Sequence, residues 1–149
     1  MPEIFTIGYE GADSERFLLA LKDAGITSVA DVRAVALSRK RGFSKNALRG
    51  TLVEAGIGYE HYRELGTPAA GRAAARAGDA DTMHRIFCEE VLTTAAATEA
   101  LARLAKEAAA APVCLLCFER DPAHCHRRIL SGRLAAQGFK VTDLFPPQL

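Results

Sequence analysis

The sequence predicts an α/β fold: a three-layer α/β/α arrangement around a mostly parallel sheet, in a single domain of 149 residues. Three observations carry that expectation. Short, continuous apolar runs such as IFTIGY at Ile4–Tyr9 and VCLLCF at Val113–Phe118 alternate with segments of helical period. These runs lack the polar-apolar alternation of a sheet with one wet face, so both faces are expected to be covered. The length suits one domain, which at this size buries about two-thirds of its unfolded surface without needing disulfides or structural metals.

The elements are taken in chain order. Ile4–Tyr9 runs into Gly8 and Gly11, the mark of a buried strand entering a turn. Asp13 or Ser14 can cap a helix over Glu15–Ala24, with Phe17, Leu18 and Leu21 at helical spacing and Gly25 as its stop. A strand at Ser28–Val32 completes a parallel crossover unit. Arg33–Phe43 reads as a charged loop, Ser44 can cap a helix over Lys45–Ala55 ending at Gly56, and Ile57–Tyr62 is the third strand. Glu64–Asp81 is small and polar without apolar periodicity, which predicts a long, partly helical excursion of the kind more often functional than accidental. Helices are expected at Thr82–Leu92 and Ala95–Ala110, the second ending before Pro112, and Val113–Phe118 is the fourth strand. Asp121 and Pro122 make a cap and first-turn pair for a helix through Ile129, Leu130 and Leu134 to Gln137, stopped by Gly138. Lys140–Phe145 is the last strand, before Pro146 and Pro147.

Composition excludes several classes of function. With 49% hydrophobic and 25% charged residues the chain is an ordinary globular one, and a net charge of +1 excludes nucleic-acid binding by bulk charge alone. Seven Phe, three Tyr and no Trp disfavour an aromatic platform for single strands. The alanine-rich stretch Ala95–Ala111 is broken by Glu99, Arg103, Lys106 and Glu107, which excludes a membrane span there. The opening MPEIFTIGYE has neither the basic nor the apolar region of a signal peptide, so the four cysteines are expected to be reduced thiols in the cytoplasm.

In open parallel sheets, ligands bind beyond the carboxyl ends of the strands. There the sequence places Tyr9 and Glu10, then Asp31, Arg33, Ser38 and Arg39, and finally Glu119–Arg128. Between Arg33 and Val53, Arg33, Arg39, Lys40, Arg41, Lys45 and Arg49 occur with no acidic residue, which suits either a phosphate or carboxylate site or a solvated loop. Arg127 and Arg128 fall near the expected start of the last helix, where the macrodipole disfavours cations unless an anion joins them. Arg33, Arg39 and Arg127 are therefore the expected anion ligands, with an internal brace to Asp121 or Glu119 as the alternative for Arg127. Asp31 alternates with Arg33 on one strand face and is expected to orient it within the catalytic set, or simply to brace it. Glu119 and His126 are the candidate acid-base groups, and Tyr9, Ser38 and Cys125 complete the expected substrate contacts. Cys125 also fits a core position one turn before Ile129. Neighbouring helical positions diverge by about 100°, which argues against a thiol–imidazole bond to His126.

No metal and no cofactor is expected. Cys114, Cys117, His124, Cys125 and His126 are close in sequence, but period two sends Cys114 and Cys117 to opposite strand faces, whereas structural zinc wants such a pair on a turn. The segment LLCFE between Cys114 and Arg120 lacks the glycine of a phosphate-cradling cysteine loop. Gly8 and Gly11 lack the lysine of a P-loop, and there is no serine nucleophile elbow.

Several of these motifs occur together in a known order: TIGY from Thr6, DVR at Asp31–Arg33, SR at Ser38 and Arg39, GIGYEHY before Leu65 and Gly66, and CFERDPAHCHR at Cys117–Arg127. In this the chain resembles the bacterial and archaeal family catalogued as domain of unknown function 488. The resemblance implies the same three-layer α/β fold and a pocket drawn from Gly8, Asp31, Arg33, Ser38, Arg39, Tyr59, Leu65, Gly66, Cys117, Glu119, Cys125, His126 and Arg127. It implies no activity, since the family is named for lacking one. Glu10 departs from the small polar residue or histidine expected at that place. The residues lead to the expectation of an enzyme, a metal-independent hydrolase or group transferase, acting on an anionic, phosphate-bearing substrate such as a nucleotide or nucleic acid. The alternatives are a non-catalytic binding module, either a nucleotide sensor or a nucleic-acid contact in which Arg39, Lys40, Arg41 and Lys45 touch backbone phosphates, and a pocket that is only an ionic brace.

Overall fold

The computed structural model describes residues 2–148. Its strands are β1 (Glu3–Gly8), β2 (Ser28–Asp31), β3 (Gly58–His61), β4 (Val113–Cys117) and β5 (Lys140–Leu144), all parallel, in the order β3-β2-β4-β1-β5. The mostly parallel sheet expected from the sequence is thus parallel throughout. β4 lies at the centre, which explains why every residue of VCLLC is buried. The chain steps from β1 across the place of β4 to β2 and returns later to fill it, so the strand order reverses around these three strands. Their carboxyl ends lie level, with Gly8 opposite Cys117 and Asp31 opposite Leu116.

Period two divides the strand side chains between two cores. Phe5, Ile7, Val29, Cys114 and Leu116 pack against Phe17 and Leu21 of α1 (Ser14–Asp23) and Leu48 and Leu52 of α2 (Lys45–Glu54). The excursion carries α3 (Ala69–Arg76), α4 (Ala80–Ile86) begins at its end, and two longer helices cover the opposite face of the sheet. There Ile4, Ala30, Leu115 and Cys117 meet Leu104 of α5 (Ala95–Ala110) and Leu130 and Leu134 of α6 (Arg127–Ala136). Each Leu or Phe so buried contributes roughly 1.5–3 kcal/mol. The result is the three-layer arrangement.

Local signals explain most boundaries. Asp13 caps α1 by accepting from the Arg16 amide at 2.9 Å, and Gly25 ends it with φ of 72°. Ser44 precedes α2 without capping it. Its hydroxyl accepts from the Ser38 amide at 3.1 Å and donates to the Ser38 carbonyl at 3.2 Å, fixing the loop instead. The excursion holds a 3-10 turn at Arg63–Leu65 and then α3, in agreement with a partly helical segment. The helix expected over Thr82–Leu92 starts earlier, capped by Asp79, and after Ile86 widens into a π-helical turn over Phe87–Val91. That turn places both Phe87 and Val91 in the core.

The last helix begins later than expected. Asp121 and Pro122 do act as cap and first turn, but of a 3-10 turn at Pro122–His124 that ends at once. Cys125 is extended, with φ of −128° and ψ of 145°, and α6 starts only at Arg127. No helix of the described residues is long and apolar enough to cross a membrane.

Candidate functional site

A cavity of about 280 Å³ opens at the carboxyl edge of the sheet, where the strand order reverses. Its lining comes from the end of β4 and the segment leading into α6 (Cys117, Phe118, Glu119, His126), from the loops after β1 and β2 (Tyr9, Arg33, Val35, Leu37, Ser38), and from the excursion (Thr67, Arg72, Arg76). Two glycines allow these segments to converge. A Cβ on Gly8 would lie 1.8 Å from the Glu119 carbonyl oxygen, and one on Gly66 2.3 Å from the Ala34 backbone.

Asp31 and Arg33 form a buried brace at the end of β2. One carboxylate oxygen of Asp31 accepts from the Arg33 amide at 3.1 Å and Nε at 2.9 Å; the other accepts from Arg33 Nη2 at 2.7 Å and the Tyr59 hydroxyl at 2.5 Å. Arg33 Nη1 donates to the Phe43 carbonyl at 2.7 Å and the Tyr9 hydroxyl at 3.1 Å. Burial pulls the guanidinium towards neutrality, but hydrogen bonding and charge from Asp31 outweigh it and raise the pKa further. Burial, and then donation to Asp31, likewise raise the Tyr59 phenol. Asp31 is fully enclosed with its lone pairs occupied, so it orients Arg33 and does not itself face the cavity. Tyr9 stacks on Phe43 with ring centroids 4.4 Å apart, which fixes the hydroxyl that Arg33 meets.

Beside this brace lies a cluster of sulfur, imidazole and carboxylate. The His126 Nε2 atom is 2.7 Å from the Val32 carbonyl oxygen, which can only accept, so Nε2 carries the proton and Nδ1 turns inward. Nδ1 lies 3.8 Å from Cys117 Sγ and 3.9 Å from Cys125 Sγ. Cys117 Sγ is also 3.7 Å from a carboxylate oxygen of Glu119, and the Phe87 ring packs 5.0 Å from the imidazole. The thiol–imidazole approach corrects the expectation that neighbouring positions would diverge. That divergence holds within a helix, and Cys125 is extended.

Electrostatics follow from this packing. Burial pushes the Glu119 carboxyl up to about 7, with Cys125 adding to it. The Cys117 thiol is raised, first by donating to Cys125 and then by burial. Burial works to raise Cys125 as well, but that donation, His126 and Arg127 hold it well below the ordinary thiol value. Burial works to lower His126, and Cys125, the Val32 carbonyl and Glu119 reverse the sign. Cys114, on the opposite strand face as period two requires, is raised by its burial.

The remaining expected residues lie elsewhere. Arg127 is fully buried and outside the cavity lining; its guanidinium donates to the carbonyls of Glu119 at 2.6 Å and Arg120 at 3.2 Å. Neither brace partner expected for it, the carboxylate of Asp121 or of Glu119, is the group it meets. It holds the loop that carries Glu119. Arg39 is exposed and outside the lining, and Cys125 is buried behind Cys117 and His126. Glu10 accepts from the Arg120 amide at 3.0 Å and so clamps the loop after β4. Ser38 and Tyr9 do line the cavity.

The excursion supplies what the sequence left unassigned. Arg72, half-buried, and Arg76, exposed, lie four positions apart on α3 and both line the cavity, and Thr67 adds a buried hydroxyl that has no hydrogen-bond partner among the described residues. Arg72 is tied once, to the Thr67 carbonyl at 2.9 Å. Their spacing on a helix was visible; which way that helix faces was not.

A doubly wound, parallel α/β protein with a titratable cluster at its switch point is the class that fold and site define. The family model described as Domain of unknown function DUF488 matches residues 13–134, and the chain belongs to that family. No curated protein and no solved structure matches it.

Proposed function

We propose that this chain is a cytoplasmic enzyme, a hydrolase or group transferase, whose substrate is a small anionic, phosphate-bearing molecule such as a nucleotide. One observation carries the reading. Glu119 and His126 open into a cavity whose far wall presents Arg72 and Arg76, guanidiniums that meet no carboxylate among the described residues. A phosphate group supplies the missing negative charge, because guanidinium forks match its oxygens. The Thr67 hydroxyl, unpartnered among the described residues, gives a further hydrogen bond, while Arg33, neutralised by Asp31 at 2.7 Å, shapes the wall without adding net charge. The apolar side chains of Val35, Leu37 and Phe118 suit a base or another flat organic group.

In this assignment Glu119 takes a proton from the attacking water or hydroxyl and returns it to the leaving group. His126 keeps its Nε2 proton on the Val32 carbonyl and turns Nδ1 to the Cys117 and Cys125 sulfurs, so it supports the thiol cluster behind Glu119. Arg127, Asp31 and Tyr9 are positioning residues.

A thermal-shift screen of the reduced protein against phosphate, sulfate, nucleotides and short oligonucleotides tests this. A ligand at about a hundred times its Kd adds about 2.7 kcal/mol, a rise of roughly 5–10 °C at this size. The shift is expected to vanish in Arg72→Ala and Arg76→Ala proteins that melt normally without ligand, and the binder is expected to turn over in wild type and not in Glu119→Gln. Absence of any shift, or equal shifts in the arginine variants, would refute the assignment.

A further inference from the structure

Neither the anion wall nor the acid-base role of Glu119 accounts for Cys125, a nucleophilic side chain packed where nothing in the cavity reaches it. Three donor atoms converge there: the Sγ atoms of Cys117 and Cys125 and Nδ1 of His126 all lie within 4.8 Å of one another. We propose that these three atoms form a binding site for one zinc ion, whose fourth position faces the cavity beside Glu119.

The geometry is close to that of a bound state. A tetrahedral zinc with bonds of about 2.3 Å to sulfur and about 2.0 Å to nitrogen separates sulfur from nitrogen by about 3.5 Å. The two observed separations, 3.8 and 3.9 Å, need a contraction of a few tenths of an ångström. The imidazole is prepared for ligation in the usual way, with its outer N–H committed to a backbone carbonyl so that the inner nitrogen offers a lone pair. The Phe87 ring packs against the imidazole with centroids 5.0 Å apart. The Arg127 amide donates to Cys125 Sγ at 3.5 Å and helps to fix that sulfur in place. Cys114 and Cys88 take no part: one faces the opposite core, the other sits half-buried on the π-helical turn.

Two of the three ligands, Cys117 and His126, line the cavity, so the open position points there. Two thiolates and one imidazole with an open fourth place are a catalytic rather than a structural zinc set. Water bound in that place would lose a proton to Glu119. The hydroxide then forms a bond to the electrophilic carbon or phosphorus of the substrate, the bond to the leaving group breaks, and Glu119 returns the proton to it. This use of the site rests on the enzymatic reading above; the metal site itself rests on the three donors.

The test takes the full chain, tag-free and reduced, strips it with a chelator and adds back zinc or cobalt(II). One equivalent of either metal per chain is expected, with a higher melting temperature than the stripped protein and a thiolate-to-cobalt charge-transfer band in the near ultraviolet. Cys117→Ser, Cys125→Ser and His126→Gln are expected to weaken binding by roughly tenfold or more, whereas Cys88→Ser and Glu119→Gln keep the band. Where a ligand variant fails to fold, zinc protection of two of the four wild-type thiols from alkylation gives the same answer. No stoichiometric metal and no charge-transfer band in folded wild-type protein would overturn the proposal, as would a disulfide between Cys117 and Cys125 in the reduced preparation. One bound equivalent together with no shift from any phosphate-bearing ligand upholds the metal site and defeats only the substrate assignment.

Discussion

Replacing Asp31 by alanine removes the centre of the brace at the end of β2. Its carboxylate is fully enclosed and accepts from the Arg33 amide, Nε and Nη2 and from the Tyr59 hydroxyl at distances between 2.5 and 3.1 Å. The substitution leaves a guanidinium that is only 5% exposed without its counter-charge. Breaking one partner of such a pair costs about 3–5 kcal/mol, most of it the uncompensated charge. At about 2–4 °C per kcal/mol for a chain of this length, the melting temperature is expected to fall by roughly 6–20 °C. Urea denaturation and calorimetry measure both quantities. The physical cause is separable from lost packing: if the stranded charge dominates, Asp31→Ala/Arg33→Met is less destabilised than Asp31→Ala alone. A double variant as unstable as the two single losses added together would show that the pair is not electrostatically coupled, and the brace would have to be redescribed as independent packing.

Gly8→Ala is expected to destabilise by about 1–3 kcal/mol or more, because the new Cβ meets a main-chain oxygen, the Glu119 carbonyl, 1.8 Å away; a denaturation midpoint equal to wild type would mean that the β1 and β4 ends are not so close. Asp13 and Asp79 both sit below 3.8, the first chiefly through the Arg16 amide and the second through Thr82, so the folded state binds fewer protons than the unfolded one as acid is added. Their stabilisation is therefore complete above the unfolded value and lost as pH falls through the folded one, and Asp13→Ala/Asp79→Ala should show a flatter decline of unfolding free energy below about pH 4 than wild type, an acid limb of identical slope being the contrary result. Oligonucleotide binding, if it occurs, separates one-phosphate recognition in the cavity from a track along the exposed Arg39 and Arg41: the first gives a shallow dependence of log affinity on log salt, the second a slope of about −0.7 per phosphate contacted on a single strand.

Much of the fold was legible because its signals are local. The apolar run of β4, the Asp13 cap and the Gly25 stop each depend on residues a few positions apart, and each appears where those residues lie. The errors arose where a local signal had two solutions. Asp121 and Pro122 start a helical turn, but a 3-10 turn satisfies them as well as α6 does, and that choice sets Cys125 in extended backbone and brings its sulfur to the His126 ring. Ser44 had a cap to make and a loop to hold, and the Ser38 backbone took its hydroxyl. The strand-end rule pointed to the sheet edge at which the cavity opens, and the pairing of Asp31 with Arg33 was legible from their alternation on one strand. It says nothing about which arginine turns inward, so Arg127 and Arg72 could not be ranked before the loops were placed. The wall formed by α3 was least legible of all, because an alanine-rich helix carries too little apolar contrast to show which face meets the cavity.

The central claim is that an anionic ligand binds in the cavity at the carboxyl edge of the sheet. The most direct measurement is a backbone amide NMR titration of the reduced, isotope-labelled protein with inorganic phosphate and with a nucleoside monophosphate. The expected result is a saturable set of shifts at residues 33–38, 67–76 and 117–119 and at His126, with the nucleotide also moving Phe118. Shifts confined to Arg39–Arg49, or none anywhere at millimolar ligand, would contradict it.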